Sequence, residues 1–231
     1  MRAGATFLLA GAAGGVMALA ACGSSPPDRF YTLGGDEAPR AGPVQSGAPG
    51  DRPAAPAWVI AVGPVTIPEM VDRPQIVVAT GPQRIDVLEE RRWAQPLGRD
   101  IGELVAAAIE HSVPQSRAYV DSGGTPPPAA HTARLTLHID RFDSWLGPQP
   151  RVEDDVRWSM RCAAGDLPDR SGAAAPGGFA QLREPVAPAG DPYAALAAAH
   201  ARALTRLGEP IAAAVAQLGD ACRTPAAGAS R

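Results

Sequence analysis

The sequence contains no lysine: all 21 of its basic residues are arginine, set against 24 acidic ones for a formal net charge of −3. The missing lysine reflects the base composition of the coding sequence rather than a function. No cluster of arginines stands out, and the isoelectric point is about 5.8. The concentrated positive charge that phosphate contacts require is absent, which excludes nucleic acid as a partner class. Aromatic residues are scarce as well, 5% of 231 against 45% hydrophobic residues in total. The core must therefore be packed from Ala, Val and Leu, and the length suits one medium domain with targeting and linker segments.

Catalytic groupings are missing too. An enzyme needs a nucleophile with its base, a carboxylate pair or a metal cluster. His131 and His138 lie seven apart in an alternating segment, so they face opposite sides and cannot share a metal. His111 closes a helical pattern, where an imidazolium suits the negative end of the dipole. His200 sits on an apolar helix stripe as a partly buried packing residue. Asp154 and Asp155 are adjacent in a strand pattern and diverge, with Asp154 on the apolar side, near the strand end where water reaches it. The "DSGG" run at 121–124 lacks the Gly-x-Ser-x-Gly elbow, and no phosphate-binding glycine motif separates a strand from a helix. The expectation is a protein without enzymatic activity, bound metal or cofactor.

What the chain does have begins at its first residues. Met1 and Arg2 precede "ATFLLAGAAGGVMALA", an apolar run of secretory-signal length that is too short for a confident membrane span. It closes on Leu19-Ala20-Ala21-Cys22, which resembles the lipobox of bacterial lipoproteins. Small residues before the cut fit a narrow peptidase groove, and a thiol directly after it can take a diacylglyceryl group. Residues 1–21 then read as signal peptide and Cys22 as the lipidation site. Two or three acyl chains hold durably where a single chain is marginal. Gly23 stands where an aspartate would retain a lipoprotein at the inner membrane, which favours the periplasmic face of the outer membrane.

Residues 22–57 read as the acylated N-terminus and a Pro/Gly-rich tether, with an r.m.s. reach of roughly 30 Å. Arg29-Phe30-Tyr31-Thr32-Leu33 interrupts it with β-prone residues, a candidate docking strand that would shorten the reach. A folded domain is expected over 58–222, followed by a tail at 223–231.

Within the domain, Trp58–Ile67 reads as a doubly covered central strand, and "QIVVAT" and "RIDVL" flank Gly81-Pro82-Gln83 as a hairpin. Leu97, Ile101, Leu104, Val105, Ala108 and Ile109 form one helical stripe. Ala133, Leu135, Leu137 and Ile139, then Val152, Val156, Trp158, Met160 and Cys162, define the inward faces of a second, longer hairpin. "GFAQLREPV" adds a strand. Asp191 caps a final helix of about 40 Å that Gly208 and Pro210 should bend or split. The fold class expected is α+β, a mostly antiparallel sheet with two helices on one face. Cys162 on the inward strand face and Cys222 beyond the last helix form either a structural disulfide or two free thiols.

The runs "RFYTL" soon after the lipobox, "VGPVTIPEMVDRPQIV" from Val62, "RWAQPL", "IDRFD", "RWSM", "LREPV" and "DPYAALAAAHARALTRLGEPIAAAV" together resemble the PqiC-type family, the ABC-type transport auxiliary lipoproteins. The resemblance implies a non-enzymatic outer-membrane lipoprotein of an ABC transporter complex built around an MCE-domain protein, supporting lipid traffic between membranes and envelope integrity. The alternative is a lipoprotein regulator of a cell-wall synthesis enzyme. Asp72, Arg73 and Pro74 in "VDRPQIV" are either a partner contact or a structural turn, since Pro74 fixes φ and Asp72 can bond the turn backbone. Homo-oligomerisation stays open.

Overall fold

The computed structural model describes residues 27–35, 55–123, 129–162 and 175–222. Eight strands form one sheet, in chain order β1 (Arg29–Tyr31), β2 (Trp58–Val62), β3 (Gln75–Gly81), β4 (Arg84–Trp93), β5 (Ser116–Val120), β6 (His131–Trp145), β7 (Arg151–Cys162) and β8 (Gly177–Pro185). Helix α1 (Leu97–Ser112) lies between β4 and β5, and α2 (Pro192–Thr205) and α3 (Gly208–Leu218) follow β8.

The long strand β6 is the organising element. One of its edges pairs with β7 along its whole length, from Ala133↔Cys162 to Trp145↔Arg151. The other edge is shared: β2 runs parallel to its first five residues, Thr66 bridges to His138, and β3 meets its end at Ala79↔Trp145. The sheet therefore forks on that side, with β5 beyond β2, and β4 then β1 beyond β3.

The expectation of a mostly antiparallel sheet is corrected by this topology. The sheet is mixed, and four of its seven strand pairings are parallel: β1 with β4, β2 with β5, β2 with β6, and β3 with β6. The antiparallel ladders are the expected hairpins and their neighbour, β3–β4, β6–β7 and β7–β8. A hairpin announces itself by a short turn between two β-prone runs, whereas a parallel partner is remote in sequence and leaves no local mark. Trp58 pairs with Ser116 and His131, and Arg29 with Arg91.

The helices follow the expected stripes. All six apolar residues of the α1 stripe are buried. Asp191 caps α2, accepting from the Tyr193 and Ala194 N–H groups, with Pro192 in the first turn where its missing N–H costs nothing. The terminal helix breaks at Arg206–Leu207 into α2 and α3. Gly208 is forced at that break: a Cβ there would stand 2.5 Å from the Ser112 Oγ and 2.9 Å from the Ala108 carbonyl oxygen, so α3 starts in close contact with α1. Helices α2 and α3 pack on β7 and β8, α1 packs on β5 and β2 and against both other helices, and the core beneath them includes the fully buried Leu135, Leu137, Ile139 and Met160.

Candidate functional site

Two places in the fold gather polar side chains with a structural or chemical task. The first lies where the N-terminal segment meets the sheet. Strand β1 runs parallel to β4 with Tyr31 opposite Trp93, and the Ala94 N–H donates to the Tyr31 carbonyl at 2.7 Å. Tyr31 is buried between this ladder and α2. Its hydroxyl donates to the Asp191 carboxylate at 3.1 Å, and its ring meets Tyr193 edge-on. Burial raises the pKa of the Tyr31 phenol, and the Asp191 carboxylate adds to the effect. Arg29 reaches the same carboxylate at 3.5 Å, and the Arg91 guanidinium lies over the Tyr193 ring. Two residues on, Leu33 is fully buried, and its N–H donates to the buried carboxylate of Asp100 at 2.9 Å. Asp100 also accepts from the Thr32 hydroxyl and the Gln95 amide. Two acidic residues at helix starts, Asp100 on α1 and Asp191 on α2, thus hold the strap from both sides.

The second place is interior. The Asp154 carboxylate accepts from His200 Nδ1 at 2.8 Å, and His200 Nε2 lies 2.9 Å from the Ser144 hydroxyl. In the tautomer that donates from Nδ1 to Asp154, Nε2 accepts a hydrogen bond from the Ser144 hydroxyl. The connectivity matches a nucleophile, its base and an orienting carboxylate. Its surroundings do not suit catalysis, because His200 and Asp154 are fully buried, Ser144 is 4% exposed, and the Phe142 ring stacks on the imidazole at 3.8 Å. The Ser144 side chain sits in the packed interior, not at the surface. The cluster instead fixes α2 against β6 and β7. Burial pushes the Asp154 carboxyl above the usual range, and contact with His200 opposes that rise.

Sequence periodicity placed His200 on the buried stripe but set Asp154 within reach of water and missed Ser144. Asp154 does lie on the inward face of β7, where His200 of α2 covers it from water, and Ser144 is brought to His200 by a β-bulge. The β6–β7 register shifts between Ile139 and Arg141, leaving Asp140 outside the pairing. Before it, odd-numbered residues of β6 point to the helices; after it Phe142 and Ser144 do. The extra Asp140 forms a two-pronged pair with Arg157 at 2.6 Å, and the hydrogen bonds from Arg157 hold its carboxyl low. On the same face, away from the helices, Arg141, Arg151 and Arg183 interleave with Glu153 and Asp155.

The remaining candidates fall as follows. Cys22 lies outside the described residues. Cys162, at the end of β7, and Cys222, in the 3₁₀ turn after α3, are joined by an S–S bond with their Cα atoms 4.8 Å apart. Asp72, Arg73 and Pro74 form an exposed turn: the Asp72 N–H donates to the Pro68 carbonyl, the Arg73 N–H to the Val71 carbonyl, and the Pro74 carbonyl accepts from Trp93 N–H. His131 stacks on Trp58, and His138 faces Asp140 at 3.4 Å. Among the described residues no three His, Cys, Asp or Glu side chains are grouped to hold a metal ion, and no helix is long and apolar enough to cross a membrane.

Solved structures share this fold. A crystal structure of an uncharacterized protein aligns with a TM-score of 0.56 at 12% identity, over 82% of this chain and 99% of its own. The crystal structure of protein XCC0632 from Xanthomonas campestris, of family model DUF330, aligns at 0.51 with 20% identity, over 74% of this chain and 92% of its own. No curated protein matches significantly. The model of the ABC-type transport auxiliary lipoprotein component matches residues 32–212, from the docked strap through the start of α3, and the chain belongs to that family.

Proposed function

We propose that this protein is the lipid-anchored subunit of an ABC-type transport system built on an MCE-domain protein, held through acylated Cys22 at the periplasmic face of the outer membrane, where it supports lipid traffic between the membranes. One observation carries the proposal: the family match opens at Thr32, ten residues after the lipobox cysteine and inside the segment that the fold grips. An anchor so placed holds the domain at a bilayer and leaves its outer surfaces to a protein partner. In an exported protein the Cys162–Cys222 pair is oxidised and structural.

The test uses the full chain expressed in its own envelope. Labelled palmitate incorporates into the wild type and not into Cys22→Ser, the variant leaves the outer-membrane fraction, and affinity capture of the wild type recovers an MCE-domain protein. Label in both forms, or capture of peptidoglycan synthases alone, overturns the proposal. Arg73→Ala refines it: the turn at 72–74 is held by backbone groups, so a loss of capture at unchanged melting temperature marks a partner contact.

A further inference from the structure

We infer that the β1 edge of the sheet rests against the lipid headgroups, with Phe30 seated in the bilayer interface. The inference rests on acylation of Cys22 and extends it to the orientation of the domain. Residues 34–57 join β1 to β2, two strands of one sheet, so they add nothing to the distance between anchor and domain. Six residues, 23–28, separate the acylated residue from the start of β1. Fully extended, six residues span at most about 22 Å, whatever conformation they take. The domain is therefore held close to the surface by one particular edge.

That edge carries the most exposed large apolar side chain among the described residues. Phe30 is 63% exposed, ahead of Phe179, Ile85 and Met70. Single exposed apolar residues are ordinary and by themselves mean nothing. Phe30 differs by its place, since its neighbours Arg29 and Tyr31 are tied to Asp191 while its own ring projects from the opposite face of the edge strand. The charged residues beside it are paired within the fold, Asp28 with Arg92 at 3.8 Å and Arg29 with Asp191 at 3.5 Å, and Arg29 stays 60% exposed. Aromatic rings flanked by arginine settle at the boundary between headgroups and acyl chains. Phe179, on β8, lies five strand spacings away across the sheet, about 24 Å, and is the matched control.

The experiment places a nitroxide at Phe30→Cys or Phe179→Cys in the full acylated protein, reconstituted into phosphatidylethanolamine–phosphatidylglycerol vesicles. With Cys22 acylated and Cys162 bonded to Cys222, the new thiol is the sole one to label. Both sites are exposed, so neither variant disturbs the core. The ratio of oxygen to nickel-chelate collisions should rise several-fold at position 30 on vesicle binding and stay at its aqueous value at 179. Aqueous values at both positions in protein that floats with the vesicles overturn the inference and leave the anchor standing, as does an equal rise at both. Failure to float at all overturns the anchor, and this inference with it.

Discussion

At the scale of single residues, the buried Asp154–His200–Ser144 chain is the part of the molecule most sensitive to change. His200→Ala leaves the Asp154 carboxyl buried without its partner and should cost about 3–5 kcal/mol, read from chemical denaturation. The triple variant Ser144→Ala, Asp154→Ala, His200→Phe keeps the summed side-chain volume nearly constant, preserves a ring on Phe142 and removes every polar side-chain group. It should regain most of that loss, because a well-packed apolar replacement of a buried pair is often neutral. A triple variant no more stable than His200→Ala would refute this account. Asp191 offers a second test. Burial raises its carboxyl, but the N–H groups of Tyr193 and Ala194, the Tyr31 hydroxyl and Arg29 outweigh burial and hold it below the ordinary 3.8. A depressed carboxylate gives its full stabilisation above its unfolded value and loses it as pH falls through the folded one. Between about pH 5 and pH 2, the melting temperature of Asp191→Asn should therefore fall less steeply than that of the wild type.

At the scale of elements, what the sequence revealed and what it hid have separate causes. The stripe of α1, the inward faces of β6 and β7 and the cap of α2 were legible because each is a local period or a local motif. Strand β5 was not: "SRAYV" is short, has no alternation and becomes a strand through its parallel partner β2. The bulge at Asp140 was equally silent, since nothing in "HIDRFDSW" marks a phase change, yet it decides which side chains reach His200. The strap was half legible. "RFYTL" read as β-prone, but its holding groups, Asp100 and Asp191, lie 67 and 160 positions away in the chain. The Cys162–Cys222 bond crosses elements in the same way, tying the end of β7 to the turn after α3 over 60 residues. For a loop of that length the chain-entropy account gives about 4 kcal/mol, so Cys162→Ser with Cys222→Ser should lower denaturant stability by about that much without changing the far-ultraviolet spectrum. Addition of reductant should shift the wild type and leave the double variant unmoved.

At the scale of the whole molecule, the proposed anchor at Cys22, taken with the order of strap and loop, determines where the domain sits. Read as a sequence, 22–57 is one long tether. Folded, the gripping of Tyr31 and Leu33 divides it into a leash of six residues and a connection internal to the sheet. Composition could not make that division, because both parts are rich in small residues and proline and only the long-range contacts of the strap separate them. The division predicts opposite outcomes for two insertions of the same length. Ten Gly/Ser residues placed between Cys22 and Asp28 lengthen the leash and raise its r.m.s. reach by about 8–9 Å. Energy transfer from a donor at Phe179→Cys to acceptor lipids in the vesicle should then drop. The same ten residues placed between Gly35 and Ala55 enter a connection whose two ends are both fixed in the sheet, and transfer should stay at its wild-type value. Equal losses for the two insertions would mean that the strap is undocked in the anchored protein, and with Tyr31→Ala and Leu33→Asp the second insertion should come to behave like the first.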